Sequence, residues 1–312
     1  MSVWLPTSPC TPGACAGHEG GTASVPRAVL RLTAAVALIL LGILGSPPLR
    51  LLPAGSRHTL VRAWSAALVR AFGIRITVHG SPGPDGGRLL VPNHISWLDI
   101  PLVAAAVPCR MLAKSDIRDW PVLGRLAGRA GTLFIERDKI RALPATVETI
   151  TGALLAGDRV TVFPEGSTWC GRAQGTFRRA AFQSALDARV PVQPVRLAYL
   201  HRDGTPAGAP AFVGDDPLTA SLWRIARARG VRAEVRLLPR IPPGRYAHRR
   251  DLAAAAQQAV LGASAPTLLP GIPTQPAAPS ATDRDSANRP AASVHHWVSS
   301  SPAAANSFRT PS

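Results

Sequence analysis

The stretch VPNHISWLD, from Val91 to Asp99, contains two side chains that together could move a proton. His94 stands five positions before Asp99, after a strand-like apolar run and at the start of a helical segment. Five residues of regular helix turn through about 500°, which would leave the two side chains about 140° apart. They can therefore meet only if His94 lies on the loop before the helix, with Asn93 or Ser96 as its cap.

In that geometry the Asp99 carboxylate fixes the tautomer of the imidazole. The other ring nitrogen of His94 can then take a proton from a substrate hydroxyl. The spacing alone leaves plainer interpretations open, because a chain with eight histidines often pairs one with an aspartate by chance. Asp99 could simply cap a helix beside an incidental histidine. Ser96 could instead be a nucleophile, but no G-x-S-x-G turn surrounds it.

Two basic residues follow later apolar runs and could contact an anionic group. Arg137 ends the segment GTLFIER, and its planar guanidinium suits the oxygens of a phosphate. Lys114 follows the apolar run MLA and is one of only two lysines in the chain. Each could also be a solvated surface charge, and Arg137 lies between two acidic residues, Glu136 and Asp138.

The segment FPEGS at residues 163–167 leads from a strand-like run into a turn. Gly166 lets the backbone approach a ligand closely, and the hydroxyl of Ser167 adds a hydrogen-bond donor. A carboxylate does not bind anions, so we expect Glu165 to orient the basic groups. The competing interpretation is an ordinary strand-to-loop turn.

Four stretches occur in one order along the chain: NHISWLD at 93–99, the segment from Lys114 to Arg137, FPEGS at 163–167 and VPVQPV at 190–195. Together they resemble the four sequence blocks of the 1-acylglycerol-3-phosphate acyltransferase family, the glycerolipid acyltransferases with the H-x4-D motif. The resemblance extends from Ile74 to Leu238 and includes the whole predicted core. FPEGS has Ser where the family frequently has Thr, which preserves the hydroxyl.

The resemblance implies a direct acyl transfer in which His94 and Asp99 are the catalytic residues, His94 as general base and Asp99 as the group that orients it. The acceptor hydroxyl attacks the thioester of acyl-CoA or of an acylated carrier protein, with no acyl-enzyme, no metal and no other cofactor. The second and third blocks are implied to bind the acceptor phosphate. With the donors noted above, the predicted substrate-binding residues are Lys114, Arg137, Glu165, Gly166 and Ser167.

Strand-like and helical segments alternate from residue 74 to residue 262. This alternation predicts an α/β acyltransferase domain in which a mixed sheet is flanked by helices on both faces. Residues 1–27 and 263–312 are rich in Pro, Ala, Ser, Thr and Gly without periodicity. We therefore predict a disordered leader and a disordered tail.

Residues 28–73 are predicted to be membrane-associating helices. The apolar run from Leu32 to Gly45 is shorter than the roughly 20 residues that span a bilayer, and His58–Phe72 repeats its apolar residues at helical spacing. Seven arginines and no acidic residue lie from Arg27 to Arg75. This pattern indicates docking on anionic lipid at the cytoplasmic face of the membrane. A secretory signal fits poorly because no A-x-A site follows; packing of the second helix on the core is the other alternative.

The net charge of +17 could suit nucleic acid or anionic lipid, but the sequence contains no nucleic-acid-binding module. The four cysteines form no C-x-x-C pair and have no histidine at zinc-site spacing, which predicts incidental reduced thiols. The sequence therefore predicts an enzyme that acylates lysophosphatidic acid to phosphatidic acid. The alternatives are another lysolipid acceptor, such as lyso-ornithine lipid, and a non-catalytic lipid-binding protein that kept the fold.

Overall fold

The computed structural model describes residues 8–49, 51–83, 86–120, 123–136 and 140–263. The predicted tail from position 264 onward lies outside the described residues, and so does Arg137. The strands in chain order are β1 (Arg75–His79), β2 (Arg88–Pro92), β3 (Arg110–Lys114), β4 (Leu133–Ile135), β5 (Arg159–Thr161), β6 (Val192–Leu200) and β7 (Arg232–Leu237). They form one sheet in the order β1-β7-β6-β2-β5-β3-β4.

The sheet is mixed, as predicted. Neighbouring strands are parallel except β6 and β7, which run antiparallel with Leu200 opposite Arg232. Because of this reversal, the amino ends of β7 and β1 lie on the same edge as the carboxyl ends of β2, β5, β3 and β4. The loops that follow those four strands carry the residues singled out above, so one edge of the sheet gathers them.

The helices are α1 (Pro12–Cys15), α2 (Val25–Leu49), α3 (Ala54–Ala71), α4 (Asp99–Ala106), α5 (Leu123–Arg129), α6 (Leu143–Leu155), α7 (Phe182–Asp187), α8 (Leu218–Arg227) and α9 (Arg249–Gly262). Short 3₁₀ turns cover Ser115–Asp119 and Ile140–Ala142. Helices α2, α3, α4 and α8 share one core, and helices α6, α7 and α9 share another.

The central strand β2 separates these two cores. Its side chains alternate, with Leu90 in the first core and Leu89 and Val91 in the second. All five residues of β2 are buried, as expected of a strand between two parallel neighbours and two helical layers. The loop that follows β2 therefore starts from a rigid position in the middle of the sheet.

The prediction of a disordered leader is wrong for residues 8–27. Thr11 caps α1 by accepting a hydrogen bond from the Ala14 N–H, and the Ala23 N–H donates to the Arg227 carbonyl at 2.7 Å. A Cβ on Gly208 would lie 2.4 Å from the Gly17 carbonyl oxygen, so the segment lies directly against backbone. The composition predicted disorder because the segment contains few large apolar side chains. Backbone hydrogen bonds and small side chains hold the segment in place instead.

Helix α2 is longer than the apolar run from which it was predicted. It has 25 residues and a length of about 37 Å, and the part from Val25 to Pro48 is long and apolar enough to cross a membrane. The expectation that this segment is too short to span a bilayer is therefore corrected. Three of its leucines expose most of their surface: Leu30 at 68%, Leu41 at 61% and Leu44 at 75%.

The other side of α2 packs on the domain. The indole N–H of Trp64 on α3 donates to the Leu38 carbonyl at 2.8 Å, and Arg129 on α5 donates to the Ile43 carbonyl at 2.6 Å. Helix α3 in turn contributes Leu68 and Val69 to the first core. The second predicted helix is thus packed on the domain, as the alternative interpretation had it.

Candidate active site

The structure brings His94 and Asp99 into contact. His94 Nδ1 lies 2.8 Å from Asp99 Oδ2, with His94 on the loop after β2 and Asp99 as the first residue of α4. This is the loop-to-helix geometry that the spacing required. The His94 side chain keeps 15% of its surface exposed, whereas Asp99 is fully buried. Solvent or substrate therefore reaches the imidazole and not the carboxylate.

The buried Asp99 carboxylate is surrounded by donors. Its Oδ2 accepts the backbone N–H groups of Ile95 at 2.6 Å and Ser96 at 2.9 Å, and its Oδ1 accepts the Tyr199 hydroxyl at 2.7 Å. Because an ionised Asp99 can only accept, the hydrogen bond with His94 requires a proton on Nδ1. Nε2 then presents its lone pair, which is the arrangement of a general base.

Tyr199 was not found by sequence reasoning. It lies on β6, 100 residues after Asp99, and its burial raises the pKa of the phenol well above its ordinary value, with a further contribution from the Asp99 charge. The hydroxyl therefore stays protonated and keeps donating. A tyrosine in a strand-like run was the available signal, since the chain has only two tyrosines.

Asn93 and Ser96, the two predicted helix caps, make other contacts. The Asn93 side chain exchanges two hydrogen bonds with the backbone of Leu197, at 2.7 and 3.1 Å, and so fastens the loop to β6. Ser96 is fully buried and its hydroxyl accepts the Leu98 N–H at 3.2 Å. The nucleophile interpretation of Ser96 is therefore wrong, because its oxygen is occupied inside the loop and shielded from any substrate.

Glu165 holds the backbone of the histidine. Its Oε2 accepts the His94 N–H at 2.6 Å and its Oε1 accepts the Gly175 N–H at 3.0 Å, and only 2% of the residue is exposed. Burial raises the pKa of this carboxyl to about 8, while the two N–H groups and the nearby Arg196 charge lower it. We had expected Glu165 to orient basic groups and bind substrate. Both of its oxygens accept backbone N–H groups, one of them that of His94, and the expected contact of Glu165 with substrate stays a prediction.

Other residues of FPEGS lie beside the imidazole. The Phe163 ring stacks on the His94 ring with centroids 3.9 Å apart and planes 20° apart. Gly166 has a φ of +71°, a left-handed conformation that favours glycine, and its N–H closes a turn on the Phe163 carbonyl. Gly166 and Ser167 are partly exposed at this turn. Their expected contact with substrate stays a prediction.

The two predicted basic contacts lie further along the same edge. Lys114 ends β3, which is separated from β2 by β5, so the two strands are about 10 Å apart. Its ammonium group is 2.6 Å from Asp116 Oδ2, and both side chains are well exposed. Arg137, outside the described residues, comes two positions after the end of β4 at Ile135. Lys114 therefore does not touch His94, and the substrate-binding roles of both basic residues stay predictions.

Residues 75–198 match the sequence model of the Acyltransferase family. The chain is 40% identical over 215 residues to a lyso-ornithine lipid O-acyltransferase of Pseudomonas aeruginosa, an alignment that covers 68% of this chain and 82% of that protein. It is also 36% identical over 182 residues to a 1-acyl-sn-glycerol-3-phosphate acyltransferase of Neisseria gonorrhoeae, covering 58% of this chain and 71% of that protein. The chain belongs to the 1-acylglycerol-3-phosphate acyltransferase family.

The fold of this family member is similar to a solved one. The crystal structure of the 1-acyl-sn-glycerophosphate acyltransferase PlsC from Thermotoga maritima superposes with a TM-score of 0.59 at 18% identity, covering 78% of this chain and 99% of that one. The predicted family and the predicted fold are confirmed. The chain is an O-acyltransferase of the lysophospholipid type, and its family relatives act on two different acceptors.

Replacement of Glu165 tests its positioning role. Glu165→Gln leaves one acceptor oxygen for two backbone donors, so the N–H of His94 or Gly175 loses its partner. We expect the free energy of unfolding to fall by about 1–3 kcal/mol at a pH where the wild-type carboxyl is ionised. We also expect kcat to fall much more than KM rises, because the imidazole is displaced while the acceptor contacts remain. Denaturant titration and steady-state kinetics measure the two effects.

The pH dependence of stability tests whether Glu165 is buried with a raised pKa. The raised pKa means that the folded chain keeps a proton that the unfolded chain releases above about pH 4.5. The contribution of Glu165 to stability is therefore fully present below that pH and is lost as the pH rises towards 8, by up to about 1.4 kcal/mol per pH unit. Glu165→Gln removes this slope, whereas the control Glu148→Gln, on the exposed face of α6, retains it. A wild-type slope in Glu165→Gln contradicts the assignment.

Proposed function

We propose that the chain transfers a fatty acyl group from acyl-CoA or acyl carrier protein to the free hydroxyl of 1-acylglycerol-3-phosphate, giving phosphatidic acid. The observation that carries this proposal is the 2.8 Å contact between His94 Nδ1 and a fully buried Asp99. Because that contact fixes the tautomer, Nε2 is the atom that meets the acceptor hydroxyl.

The transfer needs one base and no covalent intermediate on the chain. As the acceptor oxygen attacks the thioester carbonyl carbon, Nε2 of His94 takes its proton. The tetrahedral intermediate then collapses and the C–S bond breaks. The proton passes from His94 to the leaving thiolate, so the products are the ester and a free thiol, with the imidazole neutral again. The Asp99 carboxylate stabilises the transient imidazolium throughout.

A lyso-ornithine lipid acceptor is the second candidate, and two observations favour it. The relative from Pseudomonas aeruginosa, whose name specifies that acceptor, is 40% identical over 82% of its length. In addition, the Lys114 ammonium is shared with Asp116, which reduces the positive charge available for a phosphate dianion at this edge. Both candidates use the same His94 chemistry and differ in the acceptor.

We also propose that the chain docks on the cytoplasmic face of the membrane. The exposed leucines of α2 supply an apolar surface, and a cavity of about 470 Å³ beside its amino end is lined by six arginines. These are Arg27, Arg31, Arg75, Arg202, Arg229 and Arg232, and no acidic residue is among the described residues that line the cavity. Anionic lipid headgroups complement such a surface. The cavity opens near the amino ends of β1 and β7, on the edge that carries His94.

The general-base role is tested by His94→Ala. We expect kcat for release of thiol from acyl-CoA in the presence of acceptor to fall about 10²–10⁴-fold, because the acceptor hydroxyl then lacks its base. Retention of the circular dichroism spectrum and unfolding midpoint shows that the fold is intact. His79→Ala, at the exposed end of β1, serves as the matched control and is expected to react at the wild-type rate. Equal rates for His94→Ala and His79→Ala would falsify the enzymatic mechanism.

The acceptor is tested by comparing kcat/KM for 1-acylglycerol-3-phosphate and lyso-ornithine lipid with one acyl donor and one detergent. The first proposal predicts at least a tenfold preference for the phosphate acceptor. It also predicts that Arg137→Ala raises KM for that acceptor more than for lyso-ornithine lipid, since a guanidinium binds a phosphate through two hydrogen bonds. A preference for lyso-ornithine lipid overturns the first proposal and supports the second.

Membrane docking is tested by sedimentation of the purified chain with vesicles of phosphatidylcholine alone or mixed with phosphatidylserine. Arg27→Glu combined with Arg229→Glu reverses two charges of the arginine-lined cavity. We expect it to weaken binding to the mixed vesicles at least about tenfold, because each near-surface arginine contributes about 1 kcal/mol. The control is Arg249→Glu combined with Arg250→Glu on α9, in the opposite helical layer. Equal binding by the two double variants contradicts a role for the cavity.

A further inference from the structure

Three of the four cysteine sulfurs meet at one point in the fold. The Sγ atoms of Cys10, Cys15 and Cys170 all lie within 4.8 Å of one another. Cys10 precedes α1, Cys15 is its last residue, and Cys170 lies on the loop that begins with FPEGS. Sequence spacing predicted incidental thiols because the third sulfur comes from a residue 155 positions after the second. We refer to these three residues as the thiol cluster.

The Cys170 sulfur accepts hydrogen bonds from the Cys10 and Cys15 thiols and from the backbone N–H groups of Arg172 and Ala173. Gly171, at φ +80°, turns the chain between Cys170 and those two N–H groups. Donors converging on a sulfur stabilise its negative charge.

Cys109, the fourth cysteine, lies in a different environment from the thiol cluster. Its sulfur lies 3.0 Å from the Thr161 hydroxyl, apart from the thiol cluster, and burial raises its pKa to about 12. Cys109 therefore stays protonated and unreactive. Because its sulfur lies outside the thiol cluster, Cys109 is a matched control for any experiment on the other three cysteines.

The spacing of the three sulfurs suits a thiophilic metal ion. A tetrahedral zinc ion with Zn–S bonds of about 2.3 Å holds its sulfurs about 3.8 Å apart, so each sulfur of the thiol cluster would shift by less than about 1 Å. Cys10 and Cys170 are buried, at 6% and 4% exposure, whereas Cys15 is half-buried. The described residues bring no fourth His, Cys, Asp or Glu to the cluster, which leaves one coordination position for a solvent ligand on the side of Cys15.

We propose that Cys10, Cys15 and Cys170 bind one thiophilic divalent ion of the Zn²⁺ class through three thiolates. Binding releases the protons that Cys10 and Cys15 carry in the metal-free chain. The ion joins the N-terminal segment to the loop that holds the catalytic base: the Trp169 N–H, next to Cys170, donates to the His94 carbonyl at 2.8 Å. Its bonds therefore stabilise the active-site loop against displacement. This proposal does not depend on which acceptor the enzyme uses.

Cobalt titration tests the site directly. The full-length chain is purified in detergent under reducing conditions, stripped with a chelator and titrated with Co²⁺, whose thiolate complexes give sulfur-to-metal charge-transfer absorption. We expect saturation at one equivalent and displacement of Co²⁺ by Zn²⁺. Cys10→Ser, Cys15→Ser and Cys170→Ser are each expected to weaken binding at least tenfold, whereas Cys109→Ser binds as the wild type does.

Thermal unfolding keeps the proposal testable even if Cys170→Ser perturbs its loop. Zn²⁺ is expected to raise Tm of the wild type and of Cys109→Ser, because the ion binds the folded chain, and to leave Tm of Cys10→Ala unchanged. The proposal is overturned if the reduced wild type shows no charge-transfer band. It is overturned equally if Cys10→Ser and Cys15→Ser retain the band with wild-type affinity.

Discussion

The buried carboxylate of Asp99 is the constraint around which the active site is organised. Taking an ionised carboxylate out of water is unfavourable unless several donors surround it. Here the donors come from three places: the imidazole, the backbone of the loop after β2, and the hydroxyl of Tyr199 on β6. One side chain therefore fixes the loop conformation and the tautomer of His94 and joins the loop to β6.

A second buried carboxylate completes the arrangement from the opposite side. Glu165 accepts the His94 N–H, so the histidine is held by its ring through Asp99 and by its backbone through Glu165. Stacking on Phe163 restricts the remaining rotation of the imidazole. Two acidic groups thus hold one imidazole in place. Such preorganisation keeps the reacting atoms near productive geometry without further cost at the moment of reaction.

The sequence predicted the contact of His94 with Asp99 because helix periodicity allows two residues five apart to meet in only one way. It predicted the family and the mixed sheet because four blocks and a strand–helix alternation occur in order. It did not predict Tyr199 or the backbone role of Glu165, since both depend on which strands become neighbours. Composition misled us over residues 8–27, where Cys10, Ala16 and Ala23 are buried although none is large.

The reversal between β6 and β7 has a consequence for how substrate arrives. It places the arginine-lined cavity and the base on one side of the molecule, the side from which the amino end of α2 emerges. On a docked enzyme, a lysolipid would reach the imidazole by lateral diffusion within its own leaflet, without its acyl tail crossing water. Turnover would then follow the mole fraction of acceptor in the bilayer rather than its total amount in the suspension, so added inert lipid acts as a surface diluent.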